Sequence, residues 1–347
     1  MGLLRKILAP FSSLYGKITD IRNTFYDKGI LKSTSFSVPV IVVGNLTVGG
    51  TGKTPQVEYL ARLLKKKYKV AILSRGYKRK TKGFVLADEN TAPTDIGDEP
   101  MQYHAKFKDV LVAVDANRVE GINKLLEFKE PPQIILLDDA YQHRKVEAGL
   151  NILLTSYNDL YVDDKMLPAG NLREKVKGAS RAQIIVVTKC PDSLSEKEQF
   201  EVAKKLNVVL HQTVFFSTIR YDSKIISKAN SIDLEELTNY EVVLVTGIAN
   251  TTPLVEFLHE KEISIKHLQY ADHHNFSKAD ITFIRDTLAN TFSSKKLILT
   301  TEKDYVRSFM TLEDDIYYLP IETKFIEHEK DFNKIIKDYV ERNTTNS

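Results

Sequence analysis

Gly44-Asn45-Leu46-Thr47-Val48-Gly49-Gly50-Thr51-Gly52-Lys53-Thr54 decides the fold class of this 347-residue chain. Ahead of it, Phe36–Val43 (FSVPVIVV) reads as a buried strand, rich in β-branched residues, with Pro39 near its start. Behind it, Pro55 suits the first turn of a helix whose apolar positions are Val57, Leu60, Ala61 and Leu64. A glycine-rich turn feeding a helix N-terminus presents backbone N–H groups to an anion. On this reading Thr47, Val48, Gly49, Gly50, Thr51, Gly52, Lys53 and Thr54 cradle the phosphates of a nucleoside triphosphate. Lys53 reaches the β/γ-phosphates and the Thr54 hydroxyl ligates Mg2+. Thr47 stands where the strict pattern has glycine. The order of strand, Gly-Lys-Thr and helix nevertheless argues for a bound nucleotide rather than an empty turn.

Outward from this loop, strand-like runs alternate with helical patterns at Lys69–Leu73, Val110–Val114, Gln133–Leu137, Leu150–Leu154 and Gln183–Thr188. That alternation predicts a parallel sheet covered by helices on both faces. A second α/β series runs through Glu241–Thr246, Ile263–Leu268 and Lys296–Thr300. Thr213–Tyr221 and Asp315–Phe325 read as extended segments that join the two series as a ribbon. The expected division is a P-loop domain over 36–212, linker strands at 213–224 and 316–325, and a smaller α/β domain over 225–315. A last helix within 326–344 packs back on the first domain.

The 42% hydrophobic content supports real cores, and a net charge of +3 gives no electrostatic case for nucleic acid. A single cysteine, Cys190, cannot form an internal disulfide and fits a reducing compartment. No apolar run is long enough to span a bilayer. Within residues 1–35, Leu4, Ile7, Leu8, Phe11, Leu14, Tyr15, Ile18 and Ile21 follow the spacing of one helical face. Arg5, Lys6, Lys17 and Arg22 supply charge that an anionic membrane attracts. A helix packed on the protein's own core is the competing reading and, for the segment alone, the better one. Pro10 speaks against one continuous helix.

Ile134-Ile135-Leu136-Leu137-Asp138-Asp139 is an apolar strand ending in two carboxylates, and in a P-loop protein an acid at such a strand end holds Mg2+. Which of the two lies closer to the metal stays open. Phosphoryl transfer also needs a group that orients the attacking oxygen and cations for the developing charge. Asp98, Arg118, His143, Arg144, Arg173, Glu174, Asp272 and His273 all lie in polar clusters that compete for those roles. Asp98 could instead cap the helix that begins at Glu99-Pro100, and Asp272 the helix over 277–292. His273-His274 has no cysteine or spaced histidine to complete a zinc set. Thr188-Lys189-Cys190-Pro191-Asp192 departs from the Lys-x-Asp element that reads guanine, which favours ATP over GTP.

Taken together, these blocks resemble the tetraacyldisaccharide 4′-kinase family of lipid A biosynthesis. The loop Val43–Pro55 matches the family's unusual P-loop, Thr47 included. Ser74-Arg75-Gly76-Tyr77, Gly97-Asp98-Glu99-Pro100, Asp138-Asp139 with Gln142-His143, Pro168-Ala169-Gly170 with Leu172-Arg173-Glu174, Asp272-His273, and Thr301-Glu302-Lys303-Asp304 with Arg307 follow in the family's order. The resemblance implies two α/β/α domains joined by a two-stranded linker. It implies transfer of the ATP γ-phosphate to the 4′-hydroxyl of an acylated glucosamine disaccharide 1-phosphate, giving lipid IVA, at the cytoplasmic face of a bacterial inner membrane. Asp98 then orients or deprotonates the hydroxyl, supported by His273, while Lys53 and Arg118 meet phosphate charge. Thr54, Asp138 and Asp139 serve Mg2+, with Glu174 as a further candidate for the metal shell. An acylated substrate strengthens the membrane reading of the N-terminus, since burying each CH2 contributes about 0.8 kcal/mol. A P-loop ATPase or GTPase that switches or inserts a partner is the alternative function, and a membrane-bound nucleotide-binding protein without catalysis is a third.

Overall fold

A computed structural model describes residues 2–344, with side chains described from residue 8 onward, residue 9 excepted. Its larger sheet has nine strands in the order Ile321–Phe325, Thr213–Tyr221, Ile184–Thr188, Leu150–Ser156, Val40–Asn45, Ile134–Asp138, Val70–Ser74, Leu111–Val114 and Val85–Leu86. Pairing is parallel throughout except at the two edge strands. Alternate residues of the central strand enter opposite cores. Val40 and Val42 pack with Leu137 and Leu153, while Ile41 and Val43 pack with Val57 and Leu60 of the P-loop helix. Both faces are therefore covered, as the unbroken apolar runs require.

The central strand begins at Val40 rather than Phe36 and extends through Gly44 to Asn45. Pro39 lacks an N–H to give to a ladder and contributes only its carbonyl, to the Ile135 N–H. The C-terminal helix Glu329–Thr344 buries Phe332, Ile336 and Val340 in the core that holds Val57 and Leu60, and the Tyr339 hydroxyl donates to the Val40 carbonyl at 3.1 Å.

A second sheet has six strands, ordered Ser231–Asp233, Lys224–Ile226, Ile316–Leu319, Lys296–Thr301, Glu241–Thr246 and Ser264–Gln269. Helices Thr252–Glu260 and Lys278–Ala289 cover its two faces through Leu254 and Leu258 on one side and Ile284 on the other. The extended segment 316–325 is not one linker strand. Pro320 divides it: Ile316–Leu319 pairs in parallel with Lys296–Thr301 of the smaller sheet, and Ile321–Phe325 pairs antiparallel with 217–221. The other linker run is divided as well, since 213–216 continue the large sheet against Ile184–Val187.

The N-terminal helix runs without interruption over Gly2–Asp27, with Pro10 inside it. One side holds to the body through polar contacts: Ser12 Oγ accepts the Ala169 N–H at 2.9 Å, and the Tyr15 hydroxyl donates to the Arg173 carbonyl at 3.0 Å. Asn23 donates to Glu174 at 2.8 Å. Tyr15 thus turns inward instead of joining the apolar face. Arg22 is likewise engaged, donating to the Gln142 carbonyl. The opposite side carries Phe11, Leu14, Ile18 and Ile21, each between 55% and 61% exposed, and Phe25 at 41%. These four side chains are not packed on the protein's own core. The expectations placed on Leu4, Arg5, Lys6 and Ile7 fall outside the described side chains.

Candidate active site

Three neighbouring strands of the large sheet end at the same edge, and their ends build one cluster. Val40–Asn45 leads into the P-loop, Ile134–Asp138 ends on the acid pair, and Val70–Ser74 ends on Ser74. In an open α/β sheet this carboxyl-terminal edge is where ligands bind. Gly44 is required where the acid-bearing loop crosses it, because a Cβ there would lie 2.7 Å from the Tyr141 Cβ. Gly52 caps the helix Lys53–Leu64 with φ 81°, a left-handed conformation that glycine adopts freely. The other side of the loop is held by the chain at 171–173. Asn171 accepts the Val48 N–H at 2.8 Å, Leu46 accepts the Arg173 N–H at 2.7 Å, and Thr47 forms a β-bridge with Leu172. That extended pairing suits a β-branched residue, which accounts for threonine at a position the strict pattern gives to glycine. Thr188 Oγ1 donates to the Thr51 carbonyl at 2.8 Å, and Lys189 Nζ donates to the Gly50 carbonyl.

Lys53 Nζ reaches Asn45 Oδ1 at 3.4 Å and stands 3.8 Å from Asp139 Oδ1. Arg173 NH1 bonds both Asp139 oxygens, at 2.9 and 3.0 Å. Burial alone would raise the Asp139 pKa, yet Lys53 and Arg173 hold it below the usual carboxylate value. Asp138 behaves oppositely. At 1% exposure its Oδ2 accepts Ser74 Oγ at 3.3 Å while its buried Oδ1 has no partner. Burial, with the charges of Glu99 and Asp139, pushes Asp138 up to about 7 against the pull of Lys53 and Arg118. A buried carboxylate oxygen without a partner is an uncompensated site, and a hard cation satisfies it. The Thr54 hydroxyl supplies a second oxygen donor at the same end of the loop, so this donor set fits Mg2+.

Arg118 and Glu174 are both engaged by protein partners. Arg118 is 2% exposed, with NH1 on the Asp115 carbonyl at 2.5 Å and NH2 at 3.5 Å from the Asp138 carbonyl. Burial lowers its pKa to about 10 against the pull of Asp138 and Asp139. Both Glu174 oxygens are occupied: Oε1 accepts Gln142 at 3.0 Å and Arg181 at 2.9 Å, and Oε2 accepts Asn23. Glu174 therefore anchors the N-terminal helix to the loop after Asp139. Tyr103 carried no functional signal in the sequence. It is fully enclosed next to Thr54 and Asp138, where burial pushes its phenol pKa well up.

Asp98 opens the helix Asp98–Lys106 behind Gly97, whose φ of 93° and 2.8 Å Cβ approach to the Tyr77 carbonyl admit no side chain. Its carboxylate does not cap that helix; Oδ2 accepts Arg307 Nε at 2.6 Å. Arg307 comes from the smaller-sheet lobe, is 4% exposed in its side chain, and is steered by Asp304 Oδ1 at 2.9 Å. Asp304 is itself fixed by the Gly247 N–H at 2.9 Å and by Thr301 Oγ1 at 2.7 Å. His273 Nδ1 lies 3.4 Å from Arg307 NH2, and its ring meets Tyr77 of the larger lobe edge-on at 6.4 Å. Burial, then Lys303 and Arg307, lower the His273 pKa, so the ring is neutral at physiological pH. Asp272 does not cap the following helix, because Ser277 does, in a reciprocal arrangement with Asp280. The structure thus brings Asp98 and His273 together across the two lobes. Arg307, the residue that joins them, is separated from Asp98 by 209 positions.

Comparison with known proteins places the chain as a whole among its relatives. Residues 4–341 match the family model for tetraacyldisaccharide-1-P 4′-kinase. A protein of Flavobacterium johnsoniae named tetraacyldisaccharide 4′-kinase is 56% identical over 344 residues, 99% of each chain. One of the same name from Bacteroides thetaiotaomicron is 46% identical over 99% of this chain and 95% of its own. The crystal structure of LpxK from Aquifex aeolicus in complex with ATP superposes with a TM-score of 0.79 at 34% identity, covering 97% of this chain and 100% of that one.

A proton on Asp138 competes with a cation. Mg2+ affinity in the presence of ATP should therefore fall about tenfold per pH unit below 7 and level off above it. Asp138→Asn should reduce the slope to the part that protonation of ATP itself imposes. Calorimetric Mg2+ titrations at about pH 6 and about pH 8 measure this, and equal wild-type affinities would remove Asp138 from the metal shell.

Proposed function

The chain belongs to the tetraacyldisaccharide-1-P 4′-kinase family, and from that premise we propose how its residues perform the reaction. It is an ATP-dependent kinase of lipid A biosynthesis. It moves the ATP γ-phosphate to the 4′-hydroxyl of a tetraacylated glucosamine disaccharide 1-phosphate, giving lipid IVA. The observation that carries the assignment of roles is the Asp98–Arg307 contact, which aims a carboxylate of one lobe with a cation of the other.

Residues 47–54 hold the triphosphate, with Lys53 on its β/γ-oxygens. Thr54 and Asp138 hold Mg2+, which when bound neutralises charge on those oxygens. Asp139 stays ionised between Lys53 and Arg173 and keeps Lys53 directed at the loop. Asp98, with 27% of its side chain exposed, leaves Oδ1 for the acceptor hydroxyl while Arg307 fixes Oδ2. In a loose transition state the hydroxyl gives up its proton late, so a positioned carboxylate suffices. Neutral His273 stands beside Arg307 and supports Asp98 from the smaller-sheet lobe. Dividing the constellation between lobes ties catalysis to their approach, which excludes water from ATP.

The N-terminal helix brings the enzyme to a lipid that cannot leave the bilayer cheaply. What supports this is the exposed stripe Phe11, Leu14, Ile18, Ile21 and Phe25 opposite the helix's polar anchors. No described helix is long and apolar enough to cross a membrane. The helix lies in the interface, and its side is the cytoplasmic face of the inner membrane, where ATP is available.

Incubation with γ-labelled ATP and the disaccharide 1-phosphate tests the reaction. Label should move to lipid, and Asp98→Asn should lose on the order of 10²–10⁴-fold in kcat with ATP binding retained. Hydrolysis at one rate with or without lipid would instead favour a nucleotide switch. For the membrane contact, Phe11→Ser/Leu14→Ser/Ile18→Ser should co-sediment poorly with anionic vesicles and still bind ATP. Co-sedimentation equal to wild type would place the contact elsewhere.

A further inference from the structure

A buried charge cluster outside the reacting groups links the nucleotide helix to the other lobe. Lys106, the last residue of the helix that begins with Asp98, donates to Glu58 at 2.7 Å and is paired with Glu302 at 2.6 Å. Glu58 lies one turn beyond Thr54 on the P-loop helix and is 1% exposed; Glu302 lies in the smaller-sheet lobe, two positions before Asp304, and is 6% exposed. Gln102 and Arg62 complete the Glu58 shell, at 2.9 and 3.6 Å. Burial would discharge Lys106, yet Glu58 and Glu302 hold its pKa above the ordinary value. Exposed pairs contribute little, but enclosed ones with two partners fix geometry.

We propose that Lys106 is a positioning residue for the phosphoryl transfer described above, registering the smaller-sheet lobe on the P-loop helix so that Arg307 and His273 meet Asp98. The inference rests on the kinase reading. The helix Asp98–Lys106 has nine residues, so its ends lie about 12 Å apart. Arg307 grips one end and Glu302 the other. One point of attachment lets a lobe pivot, whereas two set its orientation. Further cross-lobe contacts, Lys303 with Glu99 at 3.8 Å and Val306 with Met101 in one apolar cluster, lie toward the Asp98 end of this helix. Among the described ion pairs across the lobes, Lys106 alone also reaches the P-loop helix.

Lys106→Met and Glu302→Gln should each lower kcat for lipid phosphorylation by roughly ten- to a hundredfold, the loss expected when reacting groups shift by about an ångström. ATP affinity, read with a fluorescent ATP analogue, should change little. The double variant should be no slower than Lys106→Met, because both substitutions break one link. Glu58→Gln/Lys106→Met/Glu302→Gln removes the buried charges together and should regain the wild-type melting temperature without regaining kcat. Wild-type kcat in Glu302→Gln, or recovery of kcat along with stability in the triple variant, would overturn the inference. Both variants decide even where Lys106→Met fails to fold. A wild-type protein that leaves the lipid unlabelled would overturn the kinase reading and this inference with it.

Discussion

The Asp98 carboxylate and the Arg307 guanidinium meet at 2.6 Å from opposite lobes, and most of the site's geometry depends on that contact. Arg307 is nearly enclosed, and its other contacts go to Asp304, the Gly247 carbonyl and His273 Nδ1, all in its own lobe, so it arrives pre-aimed. Asp98 is fixed from below by a glycine that no other residue can replace without striking the Tyr77 carbonyl. Two rigid supports therefore converge on one charged hydrogen bond. Such bonds are stronger and more directional than neutral ones. Because the bond crosses between lobes, it sets the direction of the carboxylate only when the lobes are together.

The phosphate side is built on a different principle. Three parallel strands end side by side, and their termini bring Asn45, Ser74 and Asp138 to one edge. Two neighbouring acids on that edge then diverge. Asp139 is satisfied by Lys53 and Arg173, while Asp138 keeps an oxygen without a partner in a buried setting. Sequence spacing could not separate the two acids. Their bonding does: Asp139 is paired with Arg173, while Asp138 keeps one buried oxygen without a hydrogen-bond partner.

What the sequence made legible were features with local causes. Buried parallel strands are continuous apolar runs, so Ile134–Leu137 and Gln183–Thr188 stood out, and the P-loop was plain from glycine placement. Features with distant causes were not legible. Pro320 splits 316–325 because each half finds a different sheet to pair with, and no local preference separates them. Arg118 and Glu174 sit in motifs that invite catalytic roles, and part of their bonding comes from remote segments that the motifs do not announce: Asp138 for one, Asn23 and Gln142 for the other. Lys106 stands in none of the motifs, and only tertiary contact with Glu58 and Glu302 encloses it. Pro10 failed to break the N-terminal helix, which is held by side-chain contacts to the body rather than by propensity alone.

The claim that one site is assembled from two lobes is tested most directly by a double-mutant cycle on kcat between Asp98→Asn and Arg307→Gln. If Arg307 acts by aiming Asp98, the double variant turns over no more slowly than Asp98→Asn alone, and the two losses are strongly non-additive. Losses that multiply would mean that the residues act independently, and that the cross-lobe contact does not organise the reaction.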